Sequence, residues 1–205
     1  MKMNLPNRLT VLRLALVPVI LVVMLLPYHW YNNLIAALVF AAASLTDMLD
    51  GKIARKYGLI TDFGKFLDPL ADKFMVIAAV FGIVCRAYVQ RNDIMFWVFM
   101  TMLMITVFRE LAVASIRLIT AKNANVVVAA DLLGKIKTVV QIACVLVALI
   151  EPVVYDHLLA RIDPTYGLGG FYVVTLILAV CAIVFTVWSG VNYITTYWKY
   201  MDPEK

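Results

Sequence analysis

The chain has 205 residues, is 64% hydrophobic, has a mean hydropathy of +0.91 and carries a formal charge of +5. Soluble domains run at about 45–50% apolar, so this composition excludes a soluble globular enzyme and a disordered chain and implies a polytopic membrane protein. The positive balance needs no nucleic acid, because basic residues at a cytoplasmic face suit anionic lipid headgroups. Cys85, Cys144 and Cys181 all lie in apolar runs without paired spacing, so they read as packing residues, not as a disulfide or metal framework.

Spans of about 20 apolar residues are the expected unit. They are predicted at about 9–26, 34–56, 62–85, 94–119, 132–150 and 171–196, in one all-α domain covering residues 1–205. The start, "MKMNLPNRLTVLRLALVP", has the short positive lead of a signal peptide. No small-residue cleavage site follows it, so it is read as a retained first helix. In that helix Asn7, Thr10 and Arg13 recur at i, i+3, i+6 and share a broad face. They are placed near a nucleotide or the polar interior of the bundle. Helix capping by Asn7 and headgroup contact by Arg13 remain open as the plainer reading.

The connectors at 27–33, 86–93 and 151–170 hold only Arg86, Arg91 and Arg161 as basic residues. The positive-inside rule therefore puts both termini and the other two connectors in the cytoplasm. Tyr28, Trp30 and Tyr31, then Tyr193, Tyr197, Trp198 and Tyr200, fall where aromatic belts are expected on opposite faces.

The second and third spans meet in "DMLDGKIARKYGLITDFGKFLDPLAD", Asp47 to Asp72. If the second helix continues to about residue 56, with Gly58 beyond its end, Asp47, Asp50, Gly51 and Ala54 share one face. Thr61 or Asp62 is the expected cap of the next helix, in which Gly64, Asp68 and Asp72 recur every four residues. Pro69 is expected to interrupt that helix early. Two adjoining helices would thus each present two carboxylates beside small residues that admit another backbone or a ligand. Four carboxylates so close cannot all remain ionised unaided. Protonation, pairing with arginine or lysine, and two divalent cations are the available remedies, and hard oxygen ligands suit Mg²⁺ or Mn²⁺. A salt-bridge network joining two helices and a cation pathway in a transporter are the competing readings. The position of the acids at span ends, away from the midplane, speaks against transport.

The fourth and fifth spans carry charges that lipid would not favour. Arg109 and Glu110 lie inside an apolar run and should face the bundle interior or water. At 100° per residue Arg117 is roughly 80° around from Arg109, and Lys135 and Lys137 are about 200° apart, so at most one of the two lysines faces a given pocket. Asp131 is expected to cap the fifth helix or pair with Lys135, and Lys122 to snorkel. Several cations in one pocket call for an acceptor that itself carries phosphate.

The spacing Asp47-x2-Asp50-Gly51-x2-Ala54-Arg55-x8-Gly64-x3-Asp68-x3-Asp72 resembles, without departure, the signature of the CDP-alcohol phosphotransferases. Six spans and the overall length fit that family as well. The resemblance implies transfer of a phosphatidyl group from CDP-diacylglycerol to an alcohol with release of CMP. It implies two divalent metals on Asp47, Asp50, Asp68 and Asp72, with Asp72 also the general base. Gly51, Ala54, Arg55 and Gly64 would border the cytidine diphosphate, with Asn7 and Thr10 placed nearby. "LPNRLTVLRLALVP" and "FRELAVASIR…GKIKTVVQ" further resemble the bacterial branch of the family that makes phosphatidylglycerophosphate. That implies glycerol 3-phosphate as acceptor, with Arg109, Arg117, Lys135 and Lys137 as candidates for its phosphate. A homodimer in the inner (plasma) membrane of a bacterium, or in an organelle membrane of bacterial ancestry, in contact with its lipids and with its active site at the cytoplasmic face, completes the expectation. The rival acceptor is inositol phosphate.

Overall fold

A computed structural model describes residues 4–27, 29–57, 61–124, 132–158 and 172–198. Side chains in 48–57 and 121–124, among a few others, lie outside the description. Among the described residues six α-helices follow in chain order: α1 Leu5–Leu25, α2 Trp30–Tyr57, α3 Asp62–Val89, α4 Asp93–Ala124, α5 Leu132–Pro152 and α6 Val173–Tyr197. A π-helical turn, Val153–Leu158, extends α5. There is no strand among the described residues, and four helices (α1, α4, α5 and α6) are long and apolar enough to cross a membrane. The protein is an all-α membrane protein, as its composition indicates.

Local chemistry explains the boundaries. Helix α1 starts earlier than expected because Asn4, not Asn7, is its cap: the Asn4 side chain accepts from the Asn7 N–H at 3.1 Å. Pro6 in the first turn has no N–H to leave unbonded. Thr61 caps α3 by accepting from the Gly64 N–H at 3.1 Å. Contrary to expectation, α3 runs through Pro69 without a break. Arg86 lies in the last turn of α3, which outlasts the expected span, and donates from Nε and Nη2 to the Met24 carbonyl at 3.2 and 2.7 Å, closing the end of α1. Between α3 and α4, Arg91 takes the left-handed conformation (φ 57°) that glycine would adopt more easily. The Asn92 side chain then caps α4 at the Met95 N–H.

The helices close into a ring in the order α1, α3, α4, α6, α5, α2, with α3 also touching α5 across the middle. The core is built from Phe40, Ala79, Val80, Phe99, Met102, Val145 and Leu149 and is continuous through all six helices. Gly82 lets α3 approach α1, since a Cβ there would come within 2.8 Å of the Met24 sulfur. Outward faces are apolar too: Leu38, Phe108, Leu118, Val139 and Trp188 are exposed, as a lipid-facing surface requires. Cys144 is buried, Cys85 and Cys181 are half-buried, and all three are free thiols.

This ring brings the N-terminal end of α1, the second half of α2 and the first half of α3 together. The antiparallel order of the remaining helices sets the second half of α4, the start of α5 and the end of α6 at the same end of the bundle.

Candidate active site

Helix α1 supplies the centre of the acidic region. The Arg13 side chain is 1% exposed, and its Nη1 donates to Asp47 Oδ1 of α2 at 2.5 Å and Asp72 Oδ1 of α3 at 2.6 Å. One guanidinium nitrogen thus ties both acidic helices to α1. Asp47 and Asp72 remain 38% and 44% exposed, so the pair opens toward solvent on its far side. One turn earlier on α3, Asp68 Oδ1 accepts from Thr10 Oγ1 at 2.6 Å. Earlier still, Thr61 Oγ1 donates to Asn7 Oδ1 at 3.0 Å. Asn7, Thr10 and Arg13 therefore form one buried polar stripe against the start of α3, as their i, i+3, i+6 spacing implies.

Gly64 lies in this stripe. A Cβ there would meet Asn7 Oδ1 at 3.0 Å, Thr61 Oγ1 at 3.3 Å and Asp68 Oδ2 at 3.9 Å. Its missing side chain leaves a small cradle lined by three oxygens of different residues. Such a donor set suits a hard cation or the polar edge of a ligand. Asp50, Gly51, Ala54 and Arg55 lie on the helical backbone of α2, but their side chains are outside the described residues, as is Gly58. Among the described residues no three acidic, histidine or cysteine side chains form a ready metal-binding group. Three of the four expected aspartates are seen on the same side of the bundle, two of them joined by arginine.

A second polar cluster begins at the residue after Asp72. Lys73 Nζ lies 3.4 Å from Glu110 Oε2, while Glu110 Oε1 accepts from Arg109 Nη1 at 2.8 Å and from Lys137 Nζ. Three cations from α3, α4 and α5 thus converge on one carboxylate. Gly190 of α6 admits Arg109, since a Cβ there would stand 3.2 Å from Arg109 Cγ, whereas one on Gly134 of α5 would reach only ordinary contact, 3.6 Å from Arg109 Nη2. Below the cluster, the Gln141 side-chain amide donates to Thr106 and Thr186 at 2.9 and 3.3 Å, tying α5 to α4 and α6.

Of the four expected acceptor-site cations, the structure therefore gathers Arg109 and Lys137. Arg117 and Lys135 are exposed and stand outside the cluster. The cause is rotational: about 80° separates Arg117 from Arg109, and about 200° separates Lys135 from Lys137, enough in each case to turn the side chain outward. Asp131 lies outside the described residues, as does the Lys122 side chain.

Three residues take roles here that their sequence positions leave unassigned. Arg13 was open between interior and headgroup contact, and the structure puts it inside. Lys73 and Glu110 were not assigned to a site. The signal for Glu110 was its place inside an apolar run. Lys73 had none, because only the packing of α3 on α4 brings it to the carboxylate.

A family model described as CDP-alcohol phosphatidyltransferase matches residues 3–188. A Bacillus subtilis (strain 168) protein named CDP-diacylglycerol–glycerol-3-phosphate 3-phosphatidyltransferase is 38% identical over 207 residues, covering 96% of each chain. A Yersinia enterocolitica protein of the same name is 31% identical, covering 97% of each. A Mycobacterium tuberculosis (strain H37Rv) protein named probable phosphatidylglycerophosphate synthase is 35% identical over 93% of this chain and 80% of its own.

Proposed function

The chain belongs to the CDP-alcohol phosphatidyltransferase family, and we propose that it transfers the phosphatidyl group of CDP-diacylglycerol to glycerol 3-phosphate, giving phosphatidylglycerophosphate and CMP. The observation that carries this reading is the adjacency of two oppositely charged clusters through neighbouring residues of α3. Asp72 is bridged with Asp47, and Lys73 reaches Glu110. A diphosphate donor needs cations held by acids, and a phosphorylated acceptor needs basic groups within reach of the attacking hydroxyl. The names of the Bacillus and Yersinia relatives state that substrate pair, and the name of the Mycobacterium relative states the product.

In this reading Asp72 accepts the proton of a glycerol 3-phosphate hydroxyl as its oxygen attacks the phosphatidyl phosphorus. The bond from that phosphorus to the bridging diphosphate oxygen breaks, and CMP leaves. Asp47, Asp50, Asp68 and Asp72 would hold two divalent cations, Mg²⁺ or Mn²⁺, whose chemistry is to neutralise the diphosphate and the charge that develops on it. The oxygen-lined cradle at Gly64 and the open sides of Asp47 and Asp72 support that assignment. Asn7, Thr10, Gly51, Ala54, Arg55 and Gly64 border the cytidine diphosphate, and Arg109 and Lys137 take the acceptor phosphate. Arg117 and Lys135, both exposed, would draw anionic substrate toward the surface. The enzyme works as a homodimer in the bacterial inner membrane, with termini and active site on the cytoplasmic side. The basic residues of the even-numbered connectors and the apolar outward faces support this placement.

Purified protein supplied with CDP-diacylglycerol, Mg²⁺ and labelled glycerol 3-phosphate should release CMP and form a labelled lipid. Label entering lipid only from inositol phosphate would reassign the acceptor. No CMP with any alcohol would favour a cation carrier built on the same carboxylates.

A further inference from the structure

Glu110 has more cationic partners than a structural bridge requires. Its side chain is 11% exposed, and Lys73, Arg109 and Lys137 all contact its two oxygens. One cation would neutralise it. Three leave, among the described residues, a surplus of positive charge in a largely enclosed space, an arrangement that costs free energy unless an anion completes it. Arg109 Nε is buried with no partner among the described residues, so donor capacity remains after the carboxylate is satisfied. The cluster is also graded. The Lys137 side chain is 6% exposed and Lys73 35%, so it opens toward the side where Lys73 follows Asp72.

We infer that Glu110 is a positioning residue for anion binding: it holds three mutually repelling cations, on three different helices, at the spacing that receives a phosphate monoester. This rests on the reading of Arg109 and Lys137 as the acceptor-phosphate site, and it adds Lys73 to that site. Without the carboxylate, repulsion would drive the half-exposed Lys73 into solvent and leave Arg109 and Lys137 without a common partner. The surplus over Glu110 matches the two negative charges of a phosphate monoester and exceeds what a zwitterionic or neutral alcohol could use. The expected sign runs against simple electrostatics. Removing a negative charge makes the pocket more positive, yet it should bind phosphate more weakly, because preorganisation is lost.

The test is Glu110→Gln in the full-length protein in detergent–lipid micelles. KM for glycerol 3-phosphate should rise about tenfold or more, with kcat within about threefold and KM for CDP-diacylglycerol within about twofold. Inorganic phosphate should raise the Tm of the unmodified protein, and Glu110→Gln should need about tenfold more phosphate for the same rise. An unchanged or lowered KM for glycerol 3-phosphate would overturn the inference. So would an unaltered phosphate dependence of Tm. If Glu110→Gln does not fold, Lys73→Gln at a half-exposed position carries the test: a KM for glycerol 3-phosphate raised at least about fivefold supports the inference, and an unchanged one overturns it. Where both variants fold, their effects should combine to less than their product, and full multiplication would show that they act independently. The phosphate titration needs no turnover. A protein that makes no lipid from glycerol 3-phosphate would thus sink the proposed reaction while Glu110 stayed testable on its own.

Discussion

The two polar clusters are mirror images in charge. At the junction of α1, α2 and α3, a buried arginine sits between two half-open aspartates. At the junction of α3, α4 and α5, a buried glutamate sits among three cations. Among the described residues each has a minority charge at its centre and a surplus of the opposite sign around it. A pair meant only to fasten helices would balance. Under the proposed function both imbalances are completed from outside the chain, by cations in the first cluster and an anion in the second. They differ in access: the acidic side chains are half-exposed, whereas two of the three basic ones are largely enclosed. A hydrated ion can reach the first directly, but the second must be entered by the ligand itself.

The sharpest break in this symmetry is Asp72→Asn. It leaves a hydrogen-bonding side chain for Arg13 but removes the proposed base, and turnover should fall about 10³-fold while membrane insertion and Tm change little. CMP release measured against a mock-purified control decides it, and a rate near that of the unmodified protein would remove Asp72 from the chemistry.

Arg13→Met comes next. It strips the centre from the acidic cluster and leaves Asp47 and Asp72 facing each other. A fully buried pair broken in this way costs about 3–5 kcal/mol; with both carboxylates half-open the loss should be nearer 2 kcal/mol. Mg²⁺ should then recover more Tm in the variant than in the unmodified protein, since the ions replace the missing charge. Equal Mg²⁺ responses in the two proteins would mean that arginine and cations do not serve the same carboxylates.

Much of the acidic cluster was legible in the sequence, because helical spacing alone puts Asp68 and Asp72 on neighbouring turns and the small Gly64 beside them. Its counter-ion was not. Arg13 stands 34 and 59 residues from the aspartates it bridges, and no local period links them. The basic cluster divides in the same way. The rotation between Lys135 and Lys137 limited a pocket to one of them, and the structure buries Lys137. That Glu110 would gather cations from three helices depends on which helices touch, and the ring order is set by tertiary packing. Asn4 carries the signal of a cap, a short polar side chain two residues before Pro6, whereas the periodic polar face begins only at Asn7. Helix α3 continues through Pro69, although a proline in a helix interior reads as a break.

Glycines offer a smaller and more graded comparison. Gly64→Ala would press a methyl to 3.0 Å from Asn7 Oδ1, closer than ordinary contact, whereas Gly134→Ala would meet Arg109 Nη2 at 3.6 Å. Shifting the α1 stripe by a few tenths of an ångström should lower kcat/KM for CDP-diacylglycerol about tenfold. Gly134→Ala should stay within about twofold. Equal losses in the two would mean that the cradle at Gly64 does not shape the donor site.

The smallest effect is expected from a third buried charge that belongs to neither cluster. Glu151 is 5% exposed and receives the Val174 and Thr175 N–H groups at 3.0 and 2.7 Å, capping α6 where that helix begins. It lies 14 residues, or about 21 Å of helix, beyond Lys137 on α5. Glu151→Gln keeps one acceptor but turns an amide donor toward a backbone donor and removes charge from the positive end of α6. It should cost about 1–2 kcal/mol of stability. Because this charge is balanced by the helix end it caps, nothing is left over for a ligand, and both KM values and kcat should stay within about twofold once the protein is folded. Thermal unfolding and initial rates on the same preparation separate the two effects. If Glu151→Gln moved KM for glycerol 3-phosphate as far as Glu110→Gln, buried charge anywhere in the bundle would tune the site, and the uneven charge of the two clusters would lose its meaning.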